Sequence, residues 1–401
     1  MAAIVALFYA LLTVPGLVQN PYQFINIGRQ YHAKATSSLA IKHARPIDNR
    51  IGYDGQFYYF LAVDPQNGRD YMDQPGVIYS RIGYPMTVRA LSAGNAAVIP
   101  YMMMLVNILA VVGGTLAVAF FMRRHGLPPA LALLYGFFPG LAIAVLRDLT
   151  EPLAFGLAAA GLVVFDPKSK RRLLMSALLF GAALLTRETV ALFPAILALG
   201  LAVGAGTASD WRDRLRFGNL VRAAAFAELA FAPLLVWRHL LHTVVLPHAT
   251  TQEPFAAGHH AVGGVAGTVL AGLVPFHAIA SKWPFATDDV TNVLTIFIPA
   301  LVWSAIAIAL LRRKVTLEPW MVLANVAVFV VFLPTPIAVD YGSLGRAAIG
   351  IVLATLVMVP RLTALSGERA ALARGALALW SLPYYLVLAI LLNAVGAKLI
   401  W

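Results

Sequence analysis

Residues 128–165 read PPALALLYGFFPGLAIAVLRDLTEPLAFGLAAAGLVVF, and this stretch decides the fold. It is too long for one helical crossing of a bilayer core about 30 Å thick, which takes about 20 residues. Its only charges, Arg147, Asp148 and Glu151, fall near the middle, so it reads as two apolar helices joined by a polar turn. Residues 172–206 repeat the pattern, broken at Arg187-Glu188. Extending this reading outward yields eleven apolar runs, near 1–19, 98–122, 128–146, 151–165, 172–187, 189–206, 219–241, 291–311, 318–338, 346–360 and 376–399. Composition agrees: the 401-residue chain is 60% hydrophobic and 12% charged, against about 25% charged in soluble domains, and its mean hydropathy is +0.78. The expected fold class is all-α, a polytopic membrane protein of about eleven transmembrane helices.

The absence of cysteine excludes a disulfide framework, thiolate metal sites and a cysteine nucleophile. The net charge of +12 is not gathered into a basic run interleaved with aromatics, so no nucleic acid is expected as a partner. The basic excess instead follows topology. With the N-terminus cytoplasmic, the five inner loops carry 16 basic and 5 acidic residues, and the outer loops and helix ends carry 14 and 12. The clusters Arg123-Arg124, Lys168 to Arg172, Arg212 to Arg222, Arg312 to Lys314 and Arg361 to Arg374 all fall inside. Met1 to Gln19 lacks a charged start and a small-x-small cleavage site, and is read as a retained first helix. Twelve of the eighteen carboxylates then lie outside, and Glu228 is the one clear mid-span carboxylate. Carriers place ionisable groups near the midplane; this distribution favours chemistry at the outer surface.

Two outer loops are long, 20–97 and 242–290. The first contains DNRIGYDGQFYYFLAVDP, Asp48 to Pro65. Its segment Gln56 to Val63 is aromatic and about two turns long, which suits a short helix lying flat in the membrane interface. Asp54 would stand at the N-terminus of that helix, an end whose free N–H groups favour negative charge. Such a carboxylate can serve as a base for a hydroxyl, or it can simply cap the helix with Gly55 easing the turn. Asp64-Pro65 reads as the helix stop.

The string Gly52-Tyr53-Asp54-Gly55-Gln56-Phe57-Tyr58-Tyr59, with Ala62, Asp64-Pro65 and Arg81-Ile82-Gly83-Tyr84-Pro85, resembles a bacterial family named for cell-surface glycopolymer formation. That family belongs to the GT-C superfamily of polyprenyl-phosphate-sugar-dependent glycosyltransferases. More distantly the string is similar to PIG-V-type mannosyltransferases. The resemblance covers roughly residues 48–200. It implies that residues 1–242, including the loop 20–97, form a common transmembrane module, and that 243–401 form a variable module shaping the lipid-donor groove. It also implies that Asp54 is the catalytic base. Gln56 and Tyr58, just after it, and His248, in the second outer loop, are candidate substrate contacts. The chain has no Asp-x-Asp in the loop, where some GT-C branches pair their acids.

Three further polar clusters interrupt the apolar pattern. At Arg147 to Pro152, where the same families carry a polar turn, Arg147 is placed to meet a phosphate oxygen, and Asp148 or Glu151 a sugar hydroxyl. The alternative is a capped hairpin, with Thr150 or Asp148 as N-cap. Arg187, in Leu185-Thr186-Arg187-Glu188, is the main candidate for the donor phosphate, against a local ion pair with Glu188 or snorkelling. Arg346, in Asp340 to Arg346, and Lys282, beside Trp283, are further phosphate candidates. The histidines His242, His248, His259, His260 and His277 lack metal-ligand spacing, so no metal or other cofactor is expected.

The expected reaction is transfer of a sugar from a polyprenyl-phosphate donor to a hydroxyl of a glycan, lipid or protein acceptor. It would occur on the periplasmic face of a bacterial inner membrane, with inversion and among membrane lipids. A lipid-linked glycan flippase and a non-catalytic assembly scaffold are the alternatives.

Overall fold

A computed structural model describes residues 1–35, 44, 46, 51–204, 217–246, 293–332, 341–362 and 375–380. Among these residues the chain is mostly helical and has no strand; Ile27 and Gly52 form an isolated antiparallel bridge. Four helices are long and apolar enough to cross a membrane: Ala2–Gln19, Ile99–Arg124, Phe217–Val245 and Leu294–Leu311. A fifth follows if Pro129–Gly136 and Pro139–Leu146, bent by 47° at their break, count as one. Helices stand at ten of the eleven apolar runs, and the last run, 376–399, lies almost wholly outside the described residues. Several are short: Glu151–Val164 and Ile349–Leu362 have 14 residues each, fewer than the about 20 of an upright crossing.

The contacts divide the chain into two compact units, Met1–Ala117 with Ile143–Ala257, and Val118–Ala142 with Gly258–Trp401. The first unit begins with α1 (Ala2–Gln19) and α2 (Arg29–Lys34). It continues with α3 (Gly55–Val63), α4 (Pro75–Ser80), α5 (Gly83–Leu91) and most of α6 (Ile99–Arg124). After α7 (Leu133–Gly136) the chain re-enters it through α8 (Pro139–Leu146), α9 (Glu151–Val164), α10 (Lys170–Thr186), α11 (Leu192–Ala202) and α12 (Phe217–Leu240).

Helix α3 is the hub of this unit, and here the expectation of an interfacial helix is corrected. Every residue from Gly55 to Ala62 is buried. Tyr31 meets Phe57 edge-on at 4.9 Å, Tyr22 meets Tyr59 at 5.9 Å, Tyr84 meets Tyr58 at 6.1 Å and Tyr71 meets Phe60 at 6.3 Å. A helix apolar on all sides belongs in a core, and the polar loop around it supplies the aromatic walls that put it there. Arg89 Nη1 donates to the carbonyls of Ala62 and Val63 at 2.7 and 2.9 Å, satisfying the C-terminal end that burial would otherwise leave unpaired. Asp64 is the C-cap residue; its carboxylate accepts from Asn67 N, Asn67 Nδ2 and Tyr71 Oη.

Helix α9 packs on α6, and α10 on α12, through glycines. A Cβ on Gly156 would lie 2.6 Å from the Ala110 carbonyl oxygen, and one on Gly181 would lie 3.1 Å from Pro233. Close backbone approach of this kind replaces the hydrophobic drive that is missing between helices in lipid. Within the second unit, α13 (Ile298–Leu311), α14 (Leu317–Phe332), α15 (Tyr341–Ala347) and α16 (Ile349–Leu362) follow in order. Arg361 joins α16 to Glu318 of α14 at 2.8 Å.

Candidate functional site

Three polar turns of the first unit meet at the N-terminus of α3. The first is Gly52–Asp54. Gly52 has φ +77°, and Gln56 Nε2 donates to the Ile51 carbonyl at 2.8 Å while its Oε1 accepts from Gly28 N–H at 3.0 Å. Gln56 is fully buried, so the residue expected to touch substrate instead clamps two loops together. Asp54 is exposed at the N-cap position, with helical φ −57° and ψ −27° and no side-chain cap hydrogen bond. Side-chain capping needs an extended backbone at this position; in the helical conformation the carboxylate is left to other uses.

The second turn joins α8 to α9. A Cβ on Gly55 would collide with the Arg147 carbonyl, so only glycine lets α3 sit directly on this turn. The Arg147 guanidinium lies 4.0 Å over the Tyr53 ring, fixing the two turns to each other. Thr150 is the N-cap of α9 without a side-chain cap bond; its Oγ1 accepts from Arg187 Nη1 at 3.2 Å. Glu151 is fully buried, and its Oε1 lies 3.2 Å from the same nitrogen. Asp148 is 1% exposed and has φ +48°. This backbone closes α8: Asp148 N–H donates to Val145 O and Leu149 N–H to Ala144 O, a role usually filled by glycine or asparagine. Burial pushes the Asp148 carboxyl well above the usual carboxylate range, opposed only in part by the Asn107 amide.

The third turn, Thr186–Glu188, lies against the start of α5. A Cβ on Gly83 would come within 2.6 Å of Thr186 Oγ1. Arg81 Nη2 and Nε donate to the two Glu188 oxygens at 2.6 and 3.1 Å, and Nη1 donates to Tyr58 Oη at 3.3 Å. Burial alone would raise the Glu188 carboxyl, but Arg81, with Arg187 adding, outweighs it and brings it down to about 2. The Tyr58 phenol is raised above its usual value, first by burial; Arg81 and Arg187 pull it down and Asp54 adds to the rise. Three charges, on Asp54, Arg81 and Arg187, therefore act on one buried hydroxyl.

The site thus gathers Asp54, Tyr58, Arg147, Asp148, Glu151 and Arg187 from the expected set. Arg187 pairs with Glu151, not with its neighbour Glu188. Arg346 belongs to the second unit, where its Nη2 donates to Ser343 Oγ at 3.2 Å. Lys282 and His248 lie outside the described residues, as do His259, His260 and His277. The structure adds Arg81, Glu188, Tyr84 and Asn107. Asn107 had a visible signal, a polar amide inside an apolar run of span length. Arg81 and Tyr84 stood in the string Arg81 to Pro85, but the pairing of Arg81 with Glu188 had no signal, because the two are 107 residues apart.

An apolar groove of about 750 Å³ abuts this cluster, lined by Ile82, Leu185, Glu228, Pro233, Trp237 and Leu240 among others. Its wall includes the neighbours of Arg81 and Thr186, and all its lining residues belong to the first unit. Trp237 Nε1 donates to the Tyr79 carbonyl at 2.7 Å, anchoring the wall. Among the described residues no group of three or more His, Cys, Asp or Glu is placed to hold a metal ion. Comparison with known proteins finds no matching family model, no matching curated protein and no matching solved structure.

Proposed function

We propose that this chain is an integral-membrane glycosyltransferase of GT-C type, with eleven spans and its site on the periplasmic face of a bacterial inner membrane. It moves a sugar from a polyprenyl-phosphate donor to an acceptor hydroxyl. The observation that carries this reading is a single juxtaposition. An exposed carboxylate free of capping duty, Asp54, stands one helical turn before Tyr58, a buried phenol that Arg81 hydrogen-bonds, and an apolar groove begins beside Arg81 and Thr186.

Each part has work to do in such a transfer. The groove suits a polyprenyl tail, whose burial contributes about 0.8 kcal/mol per CH₂. Arg187, 16% exposed in its side chain, is the guanidinium for the donor phosphate. Glu151 and Thr150 hold it in place, so little ordering is left to be done on binding. Asp54 takes the acceptor proton while the hydroxyl oxygen attacks the anomeric carbon. The bond from that carbon to the phosphate oxygen breaks with inversion, and Arg187 stabilises the charge that develops on the phosphate.

Transfer from synthetic polyprenyl-phosphate sugars, measured with the purified chain in lipid, tests the proposal. Asp54→Asn should lower turnover by about 10²–10⁴-fold without changing the melting temperature. Wild-type turnover in that variant would remove Asp54 from the chemistry. Donor translocation without transfer would instead make the chain a flippase.

A further inference from the structure

Asp148 takes no part in the mechanism above, yet it is the least comfortable residue in the site. Both carboxylate oxygens are buried, and the Asn107 amide acts on them without completing a hydrogen bond. The groups set against it are Tyr84 of α5 and Asn107 of α6. Tyr84 Oη donates to the Met103 carbonyl at 3.1 Å and accepts from Asn107 Nδ2 at 2.9 Å, and Asn107 Oδ1 is itself buried without a partner. The arginines nearby are engaged elsewhere: Arg147 on the Tyr53 ring, Arg187 on Glu151 and Thr150, Arg81 on Glu188 and Tyr58. A buried carboxylate left charged and unpaired costs several kcal/mol, so something must neutralise this one. A hard cation takes about six to eight oxygens, and among the described residues no group of three or more His, Cys, Asp or Glu is placed to hold one. A proton needs a single oxygen.

We propose that Asp148 carries a proton at neutral pH, and that this proton leaves the site able to receive an anionic phosphate. The second half rests on the donor reading above. With Asp148 neutral, Arg81, Arg147 and Arg187 balance Asp54, Glu151 and Glu188. Ionising Asp148 adds one uncompensated negative charge behind Tyr84 and Tyr58, and repels the incoming phosphate. The residue is then a positioning group for charge, outside the chemical step.

Infrared spectroscopy of the full chain in lipid reads the proton directly. Wild type should show a protonated-carboxyl C=O band at neutral pH that shifts in heavy water and is missing from Asp148→Asn. Identical spectra from the two proteins would overturn the proposal. Asn keeps the shape and suits the positive φ, so folding is not at stake. Binding of a polyprenyl-phosphate glucose reads the coupling, because this phosphodiester keeps one charge from mildly acidic to mildly alkaline pH. Wild-type affinity should fall on the order of tenfold over the pH range in which the infrared band is lost, as one added unit charge nearby at an effective dielectric constant of about 20 would cause. Asp148→Asn should lose that pH dependence. Parallel pH curves for the two proteins would overturn the coupling. No binding by either protein at any pH would overturn the donor reading, while the infrared band still decides the proton.

Discussion

Two turns of the first unit each bury a carboxylate, and they treat it in opposite ways. At 186–188, Glu188 receives two hydrogen bonds from Arg81 and stays ionised far below the usual range. At 146–150, Asp148 has only the Asn107 amide to oppose its burial and is pushed the other way. Both groups are buried, so burial does not set the difference; a guanidinium within reach does. A paired buried charge resists removal, whereas an unpaired one is a standing cost that is kept for some purpose other than stability.

The largest test of this contrast is Glu188→Ala. It leaves Arg81, only 12% exposed in its side chain, buried with the Tyr58 hydroxyl as its remaining polar partner. The expected loss is about 3–5 kcal/mol, read as a lower unfolding midpoint, and a change within experimental error would show the pair to be solvent-screened. Next comes Gly55→Ala, whose methyl group would meet the Arg147 carbonyl. A loss of about 1–3 kcal/mol is expected, with transfer activity falling further than stability because the two turns are forced apart.

The smallest effect has the opposite sign. Asp148→Asn removes an unpaired carboxyl and suits the positive φ, so it should raise stability at neutral pH by about 1 kcal/mol. The pH dependences of the two carboxylates also oppose each other. Glu188 has a depressed value, so its contribution is present above its ordinary 4.5 and is lost as pH falls toward about 2. Asp148 has a raised value, so its contribution is whole below its ordinary 3.8 and is lost as pH rises toward its raised value. Melting curves across pH for wild type, Glu188→Gln and Asp148→Asn separate the two, and a stability gain from Asp148→Asn that does not grow with pH would contradict the assignment.

Much of the site was legible because it consists of interruptions. Charge inside apolar sequence is expensive, so Arg147-Asp148, Glu151 and Arg187-Glu188 stood out by position alone. What could not be read was which charge answers which. Arg187 skips its neighbour Glu188 for Glu151, and Glu188 turns to Arg81. Gln56 looked available for substrate because it follows Asp54, yet its two amide ends fit the backbones of Gly28 and Ile51, groups brought close only by the folded loop.

The sequence by itself determined that this chain is helical and apolar, where its helices break, and that charged groups sit at the breaks. These are properties of local composition and period. Only the tertiary structure decided the fate of the stretch from Gly55 to Val63. An aromatic helix of nine residues satisfies its backbone equally well in an interface or a core. Burial is chosen by the partners that arrive from Tyr22, Tyr31, Tyr71 and Tyr84. Tertiary structure also decided between two buried acids of similar intrinsic strength, because ionisation inside a protein depends on which cation is within a few ångströms, and that is a property of the fold.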